Sequence, residues 1–232
     1  MLIKACFLFL YGSCLASFAC CLAQRFVSKT SILMPPSFCD FCQRRLKFWQ
    51  LIPILGYLLQ KGHCHFCKHK ISSQSTFLEI FGGLCLILLG SKLTFIHWPL
   101  LFSLFFWCLA LSLQDYYTQS VASLLLFLGG AFILLCNFKN CYFIFLAHWQ
   151  LLVPFNLLLV LLSYTNKLGS ADVVFIIVIS LLIGFFYTLY LLLISCVLAV
   201  LYCLVTHAKK LAFIPFLSIS LLIILLYLRF FK

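Results

Sequence analysis

Acid is the scarcest chemistry in this 232-residue chain, whose only carboxylate side chains are Asp40, Glu79, Asp115 and Asp172. Charged residues of both signs make up 9% of it, against 66% hydrophobic and 18% aromatic. So little charge cannot solvate a globular surface, where roughly a quarter of residues is usual, and so much apolar surface cannot hide in one soluble core. Internal repeats, heptad runs and glycine-rich phosphate loops are missing too, which removes solenoids, coiled coils and the common phosphate cradle. What remains is an all-α polytopic membrane protein.

The net charge of +12 is unevenly placed: of 16 Lys and Arg, eight (Arg25, Lys29, Arg44, Arg45, Lys47, Lys61, Lys68, Lys70) fall within 25–70. In a membrane protein such an excess reports topology before it reports nucleic acid, so 25–70 reads as cytoplasmic and no direct nucleic-acid binding is expected. Apolar runs at 5–23, 77–91, 94–113, 119–137, 141–163, 172–185, 186–206 and 212–229 predict about eight transmembrane helices. A cleaved signal peptide is the rival reading of 5–23, but positive charge mostly follows that run, which favours a retained helix with its N-terminus outside. The 172–206 region stays open. At about 52 Å of helix it is short for two crossings, so it is either one long span or two short helices turning at Gly184.

Three parts follow: a first transmembrane helix (1–24), a small cytoplasmic module (25–75) punctuated by Pro35, Pro36, Pro53 and Gly62, and a transmembrane core (76–232). With the module inside, counting crossings puts Asp115 and Asp172, and the loops at 119 and 166, on the cytoplasmic face. Eleven basic residues then lie inside, adding Lys167, Lys209 and Lys210, and five outside: Lys4, Lys92, Lys139, Arg229 and Lys232. That bias fits the positive-inside rule, and the Lys209–Lys210 pair reads as an anchor to membrane lipids.

Two constellations carry chemistry. The first is Asp115, closing an apolar run in Leu113-Gln114-Asp115-Tyr116-Tyr117, with Asp172 in Leu168-Gly169-Ser170-Ala171-Asp172 before the uncharged run 173–206. Ionisable groups at the edge of lipid are expensive, and two carboxylates brought together can share a proton and activate a water. Gly169, with the small Ser170 and Ala171, leaves room for an extended peptide beside Asp172. Taken singly, Asp115 also reads as an interfacial acid among aromatic neighbours. Glu79 enters the second span near the same face, where it either tunes the pair or caps a helix. The second constellation is Cys39-Asp40-Phe41-Cys42 and Cys64-His65-Phe66-Cys67, two knuckles able to give four thiolates to a tetrahedral, structural zinc, as in zinc ribbons. A disulfide reading fits poorly in a reducing cytoplasm, and a redox role is the other alternative. His63, His65 and His69 read as solvated or packed around the sulfurs. His97, His148 and His207 read as packed or interfacial, and the remaining cysteines as small apolar side chains.

In order along the chain, these residues resemble the bacterial prepilin peptidases, the type IV leader peptidases, and their competence-type members above all. The resemblance is carried by Gly12, Ser13, Ala16, Ser17, Phe18 and Arg25 of the first helix, the two cysteine pairs, Leu51-Ile52-Pro53-Ile54-Leu55-Gly56-Tyr57-Leu58-Leu59, Ile71-Ser72, Phe77-Leu78-Glu79, the two aspartates, and Phe213-Ile214-Pro215-Phe216-Leu217. Departures are Ala171 where the family usually has glycine, Cys20 near the place of a first-helix asparagine, and no proline after Val121. The resemblance implies an aspartic endopeptidase of the bacterial cytoplasmic membrane with Asp115 and Asp172 catalytic. Its implied substrates are prepilin or pseudopilin precursors bound for a pilus or DNA-uptake machinery, cut after a glycine behind a short basic leader. Many members of the family also methylate the new N-terminus with S-adenosylmethionine. Two other classes compete: a transporter or channel subunit using the aspartates for ion coupling, which leaves the cysteine module unexplained, and an inactive membrane scaffold, which the Ala171 departure suggests.

Overall fold

A computed structural model of the chain describes residues 2–31, 36–39, 41–165, 167–207 and 210–231; Pro35, Asp40, Asn166, Lys209 and Lys232 lie outside them. Among the described residues the chain is helical and forms no strand. The nine α-helices among the described residues are α1 (Leu2–Val27), α2 (Leu55–Leu59), α3 (Gln74–Gly90), α4 (Trp98–Thr118), α5 (Ser123–Cys136), α6 (Phe138–Tyr164), α7 (Ser170–Ile183), α8 (Phe185–Thr206) and α9 (Ile214–Phe231). Every apolar run read from the sequence emerges as a helix. Four segments, Leu2–Val27, Phe95–Thr118, Phe138–Tyr164 and Phe185–Thr206, are long and apolar enough to cross a membrane, which makes this a multi-pass membrane protein. The four other apolar helices, α3, α5, α7 and α9, are shorter than the expected ~20 residues; α5 and α7, at 14 residues each, reach only about 21 Å. The open 172–206 region is two helices. Gly184, at φ 86° and ψ 169°, breaks α7 from α8 in a conformation essentially reserved for glycine.

The chain divides into two compact units, Met1–Trp98 and Pro99–Lys232. In the first, α1 and α3 pack along their length. Small residues make this possible: Ala16, Ala19 and Ala23 are fully buried, and a side chain at Gly12 would run into the Gly82 carbonyl. The cysteine module joins α1 to α3. Ser73 precedes α3 as its N-cap residue, and Glu79 lies further along that helix, so Glu79 is not its cap.

In the second unit, Trp107 of α4 is the centre of the core. Its ring stacks on Phe175 of α7 with centroids 5.0 Å apart, and its indole N–H donates to the Leu125 carbonyl of α5 at 3.1 Å. α9 joins α4 through a 2.8 Å bond from the Ser112 hydroxyl to Ser218 Oγ, while α8 packs on α9 and α6 on α7. α6 contains Pro154 and loses helical geometry at His148, where φ is −131°. The His148 ring meets Phe186 edge-on, the packed role expected of it.

Candidate active site and metal centre

Asp115 lies in the last turn of α4, inside the helix, because α4 continues to Thr118 past the expected end of the run. It is 9% exposed, and its Oδ2 accepts a hydrogen bond from the Ile214 amide at 3.1 Å. That amide opens α9, so the start of one helix fixes the carboxyl at the end of another. Asp172 sits in the first turn of α7 and is half-buried. The stacked Trp107 and Phe175 hold α4 against α7, and the two carboxyls come within electrostatic reach of each other. A side chain at Gly169 would meet Asp172 Oδ2 at 2.7 Å, so a bare backbone flanks this acid. Ala171 is part of the helix and packs on the core, a backbone that alanine adopts readily.

Two contributors carry no signal in the sequence. The amide of Ile214 acts through its backbone, which any residue except proline supplies. Gln114 is fully buried beside Asp115; its Oε1 accepts from the Ala122 amide at 3.1 Å, bracing the turn into α5, while its Nε2 has no hydrogen-bond partner among the described residues. A lone glutamine ending an apolar run gives no spacing to read.

The cysteine module is built from two turns of one design. The Cys39 amide donates to Arg44 O at 3.0 Å and the Gln43 amide to Cys39 O at 2.8 Å; in the second turn Cys64 donates to His69 O at 2.8 Å and Lys68 to Cys64 O at 3.0 Å. Gln43 and Lys68, the residues just past each pair, both take left-handed φ, 57° and 59°. The bridges Phe38 to Arg45 and His63 to Lys70 close the two knuckles. This is a local duplication too short for a search at the scale of repeats to catch. Phe41 stacks on His69 at 4.4 Å and Arg44 covers the Phe66 ring at 5.3 Å, tying knuckle to knuckle. His63, His65 and His69 are all exposed, His69 on the Phe41 ring and His65 edge-on to Trp49.

The Sγ atoms of Cys39, Cys42, Cys64 and Cys67 all lie within 4.8 Å of one another, and Cys39 and Cys67 are 3.9 Å apart. A tetrahedral zinc at about 2.3 Å from each sulfur needs sulfurs about 3.8 Å apart, so the set fits that ion. The amides of Cys67 and Phe66 hold the Cys64 thiol down to about 6, while burial and the neighbouring sulfurs push Cys67 up to about 11, so one sulfur of this close pair carries the charge before the other. No disulfide forms among the fourteen cysteines.

Glu79 belongs to the first unit. It is 7% exposed, and its Oε2 accepts from the Ile54 amide at 2.7 Å, strapping the module to α3. It borders a cavity of about 620 Å³ that Cys20, Gln24, Tyr57, Gln60 and Thr76 also line.

Comparison with known proteins completes the picture. The profile described as Bacterial Peptidase A24 N-terminal domain matches residues 10–93, and that described as Type IV leader peptidase family matches 102–204. The prepilin leader peptidase/N-methyltransferase of Bacillus subtilis (strain 168) is 46% identical over 65 residues, 28% of this chain and 26% of that protein. The type 4 prepilin-like proteins leader peptide-processing enzyme of Escherichia coli O78:H11 is 32% identical over 103 residues, 40% of this chain and 38% of that protein. The Neisseria gonorrhoeae prepilin leader peptidase/N-methyltransferase is 38% identical over 53 residues, 23% of this chain and 18% of that protein. The matching segments therefore span between 18% and 38% of these relatives' own lengths. No solved structure matches the chain. Matched in sequence by the N-terminal and the peptidase profiles, which meet near the break between its two compact units, the chain belongs to the type IV leader peptidase family.

Proposed function

We propose that this protein is a prepilin peptidase: a membrane aspartic endopeptidase that removes the basic leader from prepilin or pseudopilin precursors at the cytoplasmic face of the bacterial membrane. The observation that carries the reading is that Asp115, buried at the end of α4, and Asp172, half-buried in the first turn of α7, lie within electrostatic reach of each other though their helices are far apart in sequence. One carboxylate takes a proton from water, which attacks the scissile carbonyl carbon, while the other, protonated, donates to the carbonyl oxygen. When the C–N bond breaks, the proton held by the first passes to the leaving amine. The bare backbone at Gly169 supports an extended peptide lying beside Asp172. The amide of Ile214 keeps the Asp115 carboxyl oriented through the cycle. Membership of the leader peptidase family speaks against the transporter reading.

Cys39, Cys42, Cys64 and Cys67 would hold one zinc, whose closed four-sulfur site makes it structural. Methylation of the new N-terminus is supported by the names of the relatives. The 620 Å³ cavity beside Glu79 and Tyr57 has the size of a small-molecule site and would admit S-adenosylmethionine, which supplies a methyl group to an amine. The pilus or DNA-uptake machinery would receive the product.

The decisive experiment is cleavage of a leader-bearing prepilin by reconstituted Asp115→Asn and Asp172→Asn proteins. Each single change is expected to lower cleavage by at least about 10²-fold, the usual worth of one acid–base group, and the double change to be little worse. Near-normal cleavage by either folded variant would refute the dyad.

A further inference from the structure

The cysteine module carries a stretch whose polarity is turned inside out. Between Lys47 and Lys61, the 3-10 turn Phe48–Leu51 and α2 expose their large apolar side chains: Phe48 is 88% exposed, Leu55 51%, Leu58 60% and Leu59 65%. The polar side chains point the other way. Gln50 is 7% exposed, its Nε2 donates to Gln60 Oε1 at 3.0 Å, and its Oε1 accepts the Lys47 amide at 2.7 Å. Gly56 lies so close to the Gln50 carbonyl that no side chain fits between them, which holds α2 against the 3-10 turn. Water rewards the opposite arrangement.

The height of this stretch is set by a hydrogen bond. The Ile54 amide, immediately before α2, donates to Glu79 Oε2 at 2.7 Å. Glu79 comes five residues after the start of α3, about 8 Å along the helix axis. At that level α3 exposes Phe77, Ile80 and Phe81, side chains that belong in lipid. Ile54 itself has φ 63°. A β-branched residue pays for that conformation unless its surroundings enforce it, and the bond to a buried carboxyl is such an enforcement.

We propose that the edge formed by Phe48–Leu51 and α2 lies in the membrane interface, its apolar side chains among the acyl chains and Lys47 and Lys61 against anionic lipid headgroups. Both lysines are exposed and stand at the two ends of the apolar edge, the placement that lets long basic side chains reach phosphates while the stretch between them sinks. Arg44, Arg45, Lys68 and Lys70, all exposed, give the rest of the module the same sign. The module is thereby bound to the bilayer surface rather than a domain swinging on its two connections, and its four clustered cysteines sit just above the headgroups.

The test replaces Phe48 or Leu58 with the photo-crosslinker p-benzoyl-L-phenylalanine in the full-length protein, reconstituted in bilayers of phosphatidylglycerol and phosphatidylcholine. Both side chains are exposed, so the fold tolerates the change. The same probe at Leu84, exposed on α3, reports lipid contact by a membrane helix. Mass spectrometry is expected to find phospholipid adducts at 48 and 58 in yields comparable to those at 84. With Lys47→Glu and Lys61→Glu together, yields at 48 and 58 should fall several-fold in the anionic bilayers and hold steady in pure phosphatidylcholine. Lipid adducts at 84 with none at 48 and 58 would overturn the proposal. So would crosslinks from 48 and 58 to a second copy of the chain or to a prepilin peptide, which would make the edge a protein-docking surface, and so would yields indifferent to the lysine changes.

Discussion

Asp115 and Asp172 are held by unlike means. Asp115 is oriented by a backbone amide from a distant helix, and Asp172 by its place in the first turn of α7, with the bare Gly169 beside it. Gly169 and Ala171 therefore answer differently to substitution. In Gly169→Ala the new methyl group would stand 2.7 Å from Asp172 Oδ2 and push the carboxyl aside, so prepilin cleavage should fall while the purified protein stays folded by circular dichroism. Ala171→Gly restores the residue usual in the family and should leave cleavage unchanged or raised. Because position 171 is helical, it should also lower stability by up to about 1 kcal/mol, read as a downward shift in Tm. The sequence made the two acids conspicuous by their rarity, and it placed Gly169 beside one of them. It could not show Ile214 or Gln114, since a backbone amide has no residue signature and a single buried glutamine has no period.

Among the elements, the cysteine module and the α7–α8 break depend most on single features. The module has two short knuckles and a few aromatic contacts, too little apolar burial to hold itself together without metal. Stripping zinc with a chelator is expected to release about one equivalent per chain and to speed amide exchange through 37–46 and 62–71, while α1 and α3 keep their protection. Metal analysis without zinc, with all four thiols freely alkylated in the folded protein, would defeat this. At the break, Gly184 has the positive φ and extended ψ that side chains avoid, so Gly184→Ala should cost about 1–3 kcal/mol. Thermal unfolding in detergent measures it, and an unchanged Tm would show that α7 and α8 tolerate joining. The two cysteine pairs were legible because their spacing is the chemistry. Gly184 marked where the uncharged run could turn, but whether it did was not legible, because hydrophobicity is the same on both sides of it.

For the molecule as a whole, the arrangement in the membrane is the property most open to direct test. The proposed reading needs the turn after α4 and the turn before α7 on the cytoplasmic side. Single reporters at Gln119 and Lys167 should be reached by membrane-impermeant reagents only from the cytoplasm, and labelling of either from outside would separate the two acids whatever the family. Composition alone established the membrane, the concentration of basic charge in one loop and the identity of the four thiols and two acids, because each is a matter of which side chains are present and at what spacing. The crossing count carried the argument no further than a shared face. That Asp115 and Asp172 come within electrostatic reach, that an α9 amide binds one of them, and that Glu79 pins an inverted apolar edge beside α3 relate residues 57, 99 and 25 positions apart. Such relations exist only once helices have packed, since chain-distant groups acquire a common site through events such as the stacking of Trp107 on Phe175, which leaves no local pattern to read.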